Sequence, residues 1–108
     1  QTQYYIGEGN DRVVIYQGVP TNIFGIALSH EVESTNIRVK KLDKSWQEQL
    51  REGISFGSLA EARGHAALIL REMRARAQEK RREEQQKKVV RSQQNKNHDN
   101  AGQEGKTS

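Results

Sequence analysis

The sequence predicts a small α+β domain: an antiparallel sheet of about four strands with two helices packed on one face. The second helix is expected to be long and to be followed by a disordered polar tail. Residues 3–8 and 12–17 are rich in β-branched and aromatic residues, and apolar and polar residues alternate over 24–32 and 35–39, which is typical of half-buried strands. Two helix-capping patterns follow, and residues 92–108 contain no Val, Ile, Leu, Met or aromatic residue.

Two short runs rich in β-branched and aromatic residues, 3–8 and 12–17, predict the first two strands. Gly9-Asn10-Asp11 lies between them, and Gly and Asn tolerate the positive φ angles of a tight turn. We therefore expect a hairpin whose two faces are both partly covered. Because Pro20 has no amide hydrogen to donate to a ladder, the second strand is expected to end at residues 18–20.

The segment 24–32 alternates with period two and predicts a third strand with one buried face. That face is expected to hold Phe24, Ile26, Leu28 and Val32. The segment 35–39 repeats the alternation and predicts a fourth strand. Its basic side chains, such as Arg38, would face water and discourage further pairing, so we place it at an edge of the sheet.

A short helix is predicted to begin at Asp43 or Ser45 and to end at Gly53. Ser45 and Glu48 have the capping-box spacing, in which each side chain bonds the other residue's free amide. An apolar stripe at helical spacing would dock this helix on the sheet; it consists of Leu42, Trp46 and Leu50.

Ser58 and Glu61 repeat the capping pattern and predict the second helix. Its apolar stripe is expected to consist of Leu59, Ala62, Ala66, Leu70, Met73 and Ala77. Gly64 costs a helix interior about 1 kcal/mol relative to alanine, which suggests that it makes a close contact with the sheet. Pairs of opposite charge four residues apart, such as Glu83 and Lys87, can extend the helix into solvent towards Val90.

These elements predict three segments along the chain. Residues 2–77 would form the folded domain, 78–91 a charged helical extension and 92–108 a disordered tail. The tail cannot bury enough apolar surface to offset the entropy that ordering it would cost.

The composition excludes sites that require cysteine, and it shows an uneven distribution of charge that has two possible explanations. The chain has no cysteine, so disulfides and thiolate metal sites are excluded. Residues 1–57 hold 6 Lys/Arg and 7 Asp/Glu, whereas residues 58–108 hold 12 and 7. This excess of positive charge suggests either an anionic partner or a solvated face. No apolar run reaches the ~20 residues that a membrane span needs.

No group of residues predicts catalysis, a metal or a cofactor, and the ligand-binding residues stay unassigned. His30, His65 and His98 have no second histidine four residues on, whereas zinc needs three or four converging ligands. Ser29 and His30 are adjacent on a predicted strand, so their side chains point to opposite faces and cannot form a dyad.

Weaker patterns have structural explanations. Ser58 at a helix start could bind an anion, but Glu61 would repel it, and capping is the favoured role. Glu31 and Glu33 share a strand face and predict at most a small acidic patch. Gly7-x-Gly9 lacks the third glycine and the following helix of a dinucleotide-binding loop.

The basic C-terminal half could contact an anionic polymer through Arg71, Arg74, Arg81, Arg82, Lys87 and Lys88, and in an extracytoplasmic domain such as the one named below that polymer would belong to the cell wall. Acidic residues interleave with these, and no aromatic residue after Phe56 could stack on bases, which disfavours nucleic acid. A helix that inserts into a membrane surface would need large apolar residues on one face, and beyond Met73 mainly alanine is present.

Four segments together resemble one known arrangement: 3–7 (QYYIG), 13–19 (VVIYQGV), 25–30 (GIALSH) and 53–62 (GISFGSLAEA). Their order over about residues 2–70 resembles the extracytoplasmic C-terminal domain of actinobacterial membrane-anchored PP2C-type serine/threonine phosphatases. The charged stretch after Arg71 has no counterpart in that family's pattern.

This resemblance implies a non-catalytic sensor or interaction domain on the extracytoplasmic face of the membrane, held there by an upstream helix. The parent chain would be a metal-dependent phosphatase that opposes receptor-like kinases in growth and cell-wall control. The start at Gln1 would fit a segment that follows directly on a membrane helix. An extracellular ligand or a protein partner is implied, and no enzyme activity of the segment itself. The alternative, from charge alone, is a nucleic-acid- or ribosome-associated protein with a basic helical arm.

Overall fold

The computed structural model describes the backbone of residues 3–23 and 26–107, and the side chains of residues 3–21 and 28–96. The elements in chain order are β1 Tyr4–Gly9, β2 Arg12–Ile23, β3 Ile26–Arg38, a 3-10 helix Val39–Lys41, α1 Lys44–Glu52, β4 Ile54–Phe56 and α2 Leu59–Thr107. The chain forms two compact units, Gln1–Met73 and Arg74–Ser108, which we call the N-terminal and the C-terminal unit.

Within the described residues the four strands form one antiparallel sheet in the order β3-β2-β1-β4. The predicted fold class, four antiparallel strands with two helices of which the second is long, is confirmed. The core joins one face of the sheet to both helices. It consists of Ile6, Val13, Ile15, Ile37, Val39, Leu42, Leu50, Ala62, Ala66 and Ile69.

The predicted β1–β2 hairpin is present. Asn10 and Asp11 have φ angles of 52° and 62°, the two left-handed conformations that a tight two-residue hairpin turn requires. The carboxylate of Asp11 accepts bonds from the Arg38 side chain (3.0 Å) and the Lys40 amide (3.0 Å), so the turn is tied to the end of β3.

The prediction that β2 ends at residues 18–20 is wrong, because β2 continues to Ile23. The ladder with β3 is irregular between Gly18 and Asn22, so Pro20 lies where no regular pair demands its missing amide hydrogen. Gly18 has a φ of 123°, and the main-chain oxygen of Leu28 occupies the place where a side chain would begin. The β-bulge therefore allows β2 to continue past both Gly18 and Pro20.

The predicted third and fourth strands are one strand, β3, and the fourth strand of the sheet is β4, which the sequence analysis missed. The edge position predicted for segment 35–39 holds for residues 35–38, because they belong to β3 and β3 is an edge strand. Its expected buried face is wrong, since Leu28 is 39% and Val32 is 37% exposed. Phe24 and the side chain of Ile26 lie outside the described residues.

The N-cap of α1 is Asp43, whose Oδ1 accepts from the Trp46 amide at 2.9 Å. The capping box predicted for Ser45 and Glu48 is therefore wrong; Ser45 lies in the first turn and its Oγ accepts from the Gln49 side chain at 3.2 Å. Gly53 ends the helix with a φ of 90°, as predicted, because a positive φ suits glycine.

At the start of α2 the Ser58 Oγ accepts from the Glu61 amide at 3.1 Å, which confirms its predicted capping role. Ile69 is fully buried and was missed, whereas the predicted Leu70 only packs against the core. The expected contact between Gly64 and the sheet is wrong, since nothing lies within 4 Å of its Cβ position.

The predicted division into residues 2–77, 78–91 and 92–108 stays a prediction. The helix passes through residues 78–91 without interruption. From residue 97 onward the predicted tail lies outside the described side chains, and so does His98.

Candidate functional site

A cleft opens on the sheet face opposite the core. We call it the tyrosine cleft; it has a volume of about 260 Å³ and is lined by Tyr5, Gly7, Glu8, Tyr16, Pro20, Thr21, Ser29, Leu50, Arg51 and Gly53. Side chains alternate between the faces of a strand, so the burial of Ile6 and Ile15 in the core places Tyr5 and Tyr16 on this side. The pattern that builds the core therefore also builds the cleft.

Two stacked rings form the centre of the cleft. Tyr5 and Tyr16 are directly opposed in the β1–β2 ladder, and their ring centroids are 4.8 Å apart at an interplanar angle of 15°. Tyr5 is 9% exposed and Tyr16 is half-buried, so Tyr16 presents more of the aromatic surface to the cleft. Rings held in this way lose little side-chain entropy when a partner docks.

The hydroxyl groups of both tyrosines are engaged inside the protein. The Tyr5 hydroxyl is 2.6 Å from the Ser29 Oγ, and the Tyr16 hydroxyl donates to the main-chain oxygen of Glu8 at 3.0 Å. Burial raises the pKa of Tyr16, and the nearby Tyr5, Glu31 and Glu8 raise it further. A tyrosine with a raised pKa stays neutral at physiological pH, so the Tyr16 hydroxyl keeps the proton with which it donates to Glu8.

Glycines make room for the cleft. A Cβ on Gly7 would lie 3.2 Å from the Tyr5 ring and 3.4 Å from both the Tyr16 ring and the Leu50 main-chain oxygen. A Cβ on Gly53 would lie 2.6 Å from the Pro20 Cβ, so the end of α1 and the irregular part of β2 approach each other there. Larger residues at these positions would crowd the cleft.

The serine and histidine considered for chemistry do not come together. Ser29 Oγ is bonded to Tyr5, and its neighbour His30 is exposed on β3. No three His, Cys, Asp or Glu side chains converge on a possible metal position in the part of the chain that the structure describes.

His65 lies in an aromatic cluster between α2, α1 and β4. Its ring lies 5.4 Å from that of Trp46 and 5.0 Å from that of Phe56, measured between centroids. Its Nε2 is buried and has no hydrogen-bond partner among the described residues. Trp46 donates from Nε1 to Glu72 at 2.8 Å, which closes this aromatic cluster on α2.

Glu31 and Glu33, which were predicted to form a small acidic patch, make different contacts. Glu33 accepts from the Arg63 side chain, with Nε at 2.9 Å, and these bonds lower the pKa of its carboxyl. Glu31 is exposed and contributes to the charge near Tyr16. One glutamate therefore fastens α2 to β3, and the other faces the solvent.

All six basic residues that were predicted to contact an anionic polymer are exposed on α2. They are Arg71, Arg74, Arg81, Arg82, Lys87 and Lys88. Arg71 belongs to the N-terminal unit and the other five belong to the C-terminal unit.

The sequence analysis placed the tyrosines on strands but did not bring them together as a site. The signal lay in the alternation of the first two strands. Tyr5 and Gly7 share one face of β1, and their partners in β2, Tyr16 and Val14, lie on the same face of the sheet. Two rings beside a glycine on one face leave a hollow. Pro20, Gly53 and Arg51 line the cleft because segments that are distant in the sequence lie close together in the fold. The spacing of residues along the chain does not reveal such contacts.

The sheet and the two helices together define a small α+β domain. The family model named BofC C-terminal domain matches residues 1–64, more than half of the 108-residue chain, and the chain therefore belongs to that family. It is a small domain of a family of sporulation regulatory proteins. No curated protein and no solved structure matches the chain.

The family match supports a regulatory, non-catalytic role and membrane-associated proteins as the setting. It gives no support to a PP2C phosphatase, to actinobacteria or to a nucleic-acid-binding protein. Among the described residues, no helix combines the length and hydropathy that crossing a bilayer requires.

Proposed function

We propose that this chain is a non-catalytic regulatory domain that binds a protein partner through the tyrosine cleft. The observation that carries the proposal is the cleft itself: two stacked rings whose hydroxyls are both bonded inward, beside glycines that keep the space open. Such a surface can hold one or two side chains of a partner. The regulated process would be sporulation, in agreement with the family.

The test is to fill the cleft without disturbing the fold. Thr21 lines the cleft and is exposed, so Thr21→Trp would place an indole ring in it. Ser34 is also exposed, lies on β3 and does not line the cleft, so Ser34→Trp is the matched control. Both variants should unfold at the temperature of the wild type.

The variants would be introduced into the full-length protein in its own cells, beside a deletion, and the timing of spore formation would be measured. We expect Thr21→Trp to shift the timing as the deletion does, and Ser34→Trp to leave it unchanged. A deletion without effect on sporulation would contradict the regulatory role. A normal phenotype of Thr21→Trp would contradict the role of the cleft.

The narrower predictions from the sequence are kept as proposals. They are an extracytoplasmic position, a parent PP2C-type phosphatase and an anionic wall polymer as a partner, and only the resemblance and the charge described above support them. A transmembrane segment directly before Gln1 in the full-length protein would support the first, and a phosphatase domain before that segment would support the second. A full-length protein without either would reject both.

A further inference from the structure

The C-terminal unit begins with a stretch of α2 that carries a strong excess of positive charge. Between residues 74 and 96, nine positions are Lys or Arg and three are Glu. All twelve side chains are exposed. This charge contributes to no core, since the core cluster and the residues packed against it end at Met73.

The positive charges are not spread evenly around the helix. Successive residues of an α-helix are rotated by about 100°, so residues seven positions apart lie nearly in line. Five basic residues fall within an arc of about 120° that contains no acidic residue between 74 and 96. We call them the basic stripe: Arg74, Arg81, Arg82, Lys88 and Lys96.

The other side of the helix is mixed. It carries Arg76, Lys80, Lys87 and Arg91, with Glu83 and Glu84 on either side of them. Glu79 lies at the border of the stripe, where its Oε2 is 3.7 Å from a guanidinium nitrogen of Arg82, and the side chain of Arg82 is still 75% exposed. Glu79 and Glu84 lie about 60° and about 40° beyond the edges of the stripe, whereas Glu83 and Glu84 lie about 20° from the cations of the other side. Negative potential from the glutamates therefore weakens the positive potential of this other side more than that of the stripe.

We propose that the basic stripe adsorbs on the anionic phospholipid headgroups of a membrane surface. Between Arg74 and Lys96 the helix axis rises about 33 Å, so the five cations form an elongated band along one side. A planar array of lipid phosphates touches a helix along such a band. The stripe contains a single large apolar residue, Val89, so binding would be electrostatic, without insertion, and sensitive to salt.

The same geometry distinguishes a membrane surface from other polyanions. A helix in a groove of duplex DNA meets phosphates on both flanks, where Glu79 and Glu84 would repel them. A flexible polymer such as polyglycerolphosphate can wrap around the helix and would use cations on either side. Dependence on one side of the helix therefore distinguishes a membrane surface from both.

Two variants of the full 108-residue chain with equal charge provide the test. The stripe variant is Arg74→Gln, Arg81→Gln and Lys88→Gln; the control is Lys80→Gln, Lys87→Gln and Arg91→Gln. Partition into vesicles of phosphatidylcholine with 30% phosphatidylglycerol would be measured by flotation at low salt. Each lost contact reduces binding about fivefold, so the stripe variant should bind roughly a hundredfold more weakly than the wild type. The control should bind at least about tenfold more tightly than the stripe variant.

A second measurement does not depend on removing charge. The chain has no cysteine, so single cysteines can carry a polarity-sensitive dye. Gln85 lies within the stripe and Val90 nearly opposite it. On addition of anionic vesicles, the dye at Gln85→Cys should shift its emission to the blue and the dye at Val90→Cys should not.

Several outcomes would overturn the proposal. These are no binding of the wild type to anionic vesicles, equal losses in the two triple variants, or equal dye shifts at both positions. Tighter binding of duplex DNA or polyglycerolphosphate than of the vesicles at the same salt would assign the stripe to that partner instead. None of these results depends on the tyrosine cleft, so the proposed function stands or falls separately.

Discussion

Tyr5 reaches across the neighbouring strand β2 to Ser29 on β3, and its hydroxyl is 2.6 Å from the Ser29 Oγ. Its ring meanwhile stacks on Tyr16, which belongs to the strand in between. One side chain therefore links three adjacent strands on the side of the sheet that bears the cleft. Because β3 is an edge strand, this link holds one wall of the cleft against the centre of the sheet.

The first prediction concerns this link. Tyr5→Phe and Ser29→Ala each remove one partner of a half-buried hydrogen bond and should lower the free energy of unfolding by about 1 kcal/mol. Because both changes break the same bond, the double variant should lose little more than either single variant. Urea denaturation of the four proteins measures this coupling. Losses that simply add would mean that the bond contributes nothing of its own.

The second prediction concerns acid stability. The bonds from Arg63 lower the pKa of Glu33 below its ordinary value of 4.5, so the folded protein binds this proton less readily than the unfolded chain. The resulting stabilisation is complete above about pH 5 and is lost as the pH falls through the lowered pKa. Glu33→Gln should therefore flatten the fall of the unfolding free energy between about pH 5 and 3.

Arg63→Gln is the partner control for this experiment, because it leaves the carboxylate and removes the cause of its lowered pKa. We call the fall of the unfolding free energy between about pH 5 and 3 the acid limb. Both variants should make the acid limb less steep, and by a similar amount. Asp11 adds to the acid limb in all three proteins: its burial opposes ionisation, but the bonds from Arg38 and Lys40 outweigh it and lower its pKa. An acid limb as steep in either variant as in the wild type would contradict the ion pair.

The third prediction contrasts two glycines. Gly18→Ala would force a side chain into a φ of 123° and against the main-chain oxygen of Leu28, so it should cost about 2 kcal/mol or more. Gly64 is exposed inside α2 with nothing near its Cβ position, so Gly64→Ala should stabilise by about 0.5–1 kcal/mol. Thermal unfolding should move in opposite directions for the two variants. A stabilised Gly18→Ala would mean that the bulge at this position is not formed.

The sequence was sufficient where a local pattern decides the structure. The hairpin turn at Asn10 and Asp11, the cap at Ser58 and the end of α1 at Gly53 each depend on residues a few positions apart. Two local signals competed at α1, and Asp43 rather than Ser45 formed the cap. Spacing alone cannot rank two capping residues that lie two positions apart.

Long-range pairing explains what the sequence did not reveal. Three residues, Ile54–Phe56, are too few to show a periodicity, and they form a strand only because β1 offers an open edge. Likewise Pro20 suggested the end of a strand, but the bulge that accommodates it is created by β3. The cleft depends on the same pairing, so its residues could be seen singly but not as a site.

The fourth prediction concerns His65. Its Nε2 is buried near the rings of Trp46 and Phe56 and has no hydrogen-bond partner in the part of the chain that the structure describes. An unsatisfied polar group in such a place costs stability. His65→Phe keeps a planar ring and removes that cost, so the unfolding free energy should rise by about 1 kcal/mol. Chemical denaturation at neutral pH measures the change. A clear loss of stability would show that the imidazole makes a bond that the phenyl ring cannot replace.

The last prediction tests which residue caps α1. The amide of Trp46 has the Asp43 carboxylate as its acceptor at 2.9 Å, so Asp43→Ala should cost about 1 kcal/mol. Ser45 accepts only from an exposed glutamine side chain, so Ser45→Ala, a change to a better helix former, should be neutral within about 0.5 kcal/mol. Asp43→Asn, which can still cap, should recover most of the loss. The reverse order of effects, with Ser45→Ala the costly change, would restore the capping box that the sequence suggested.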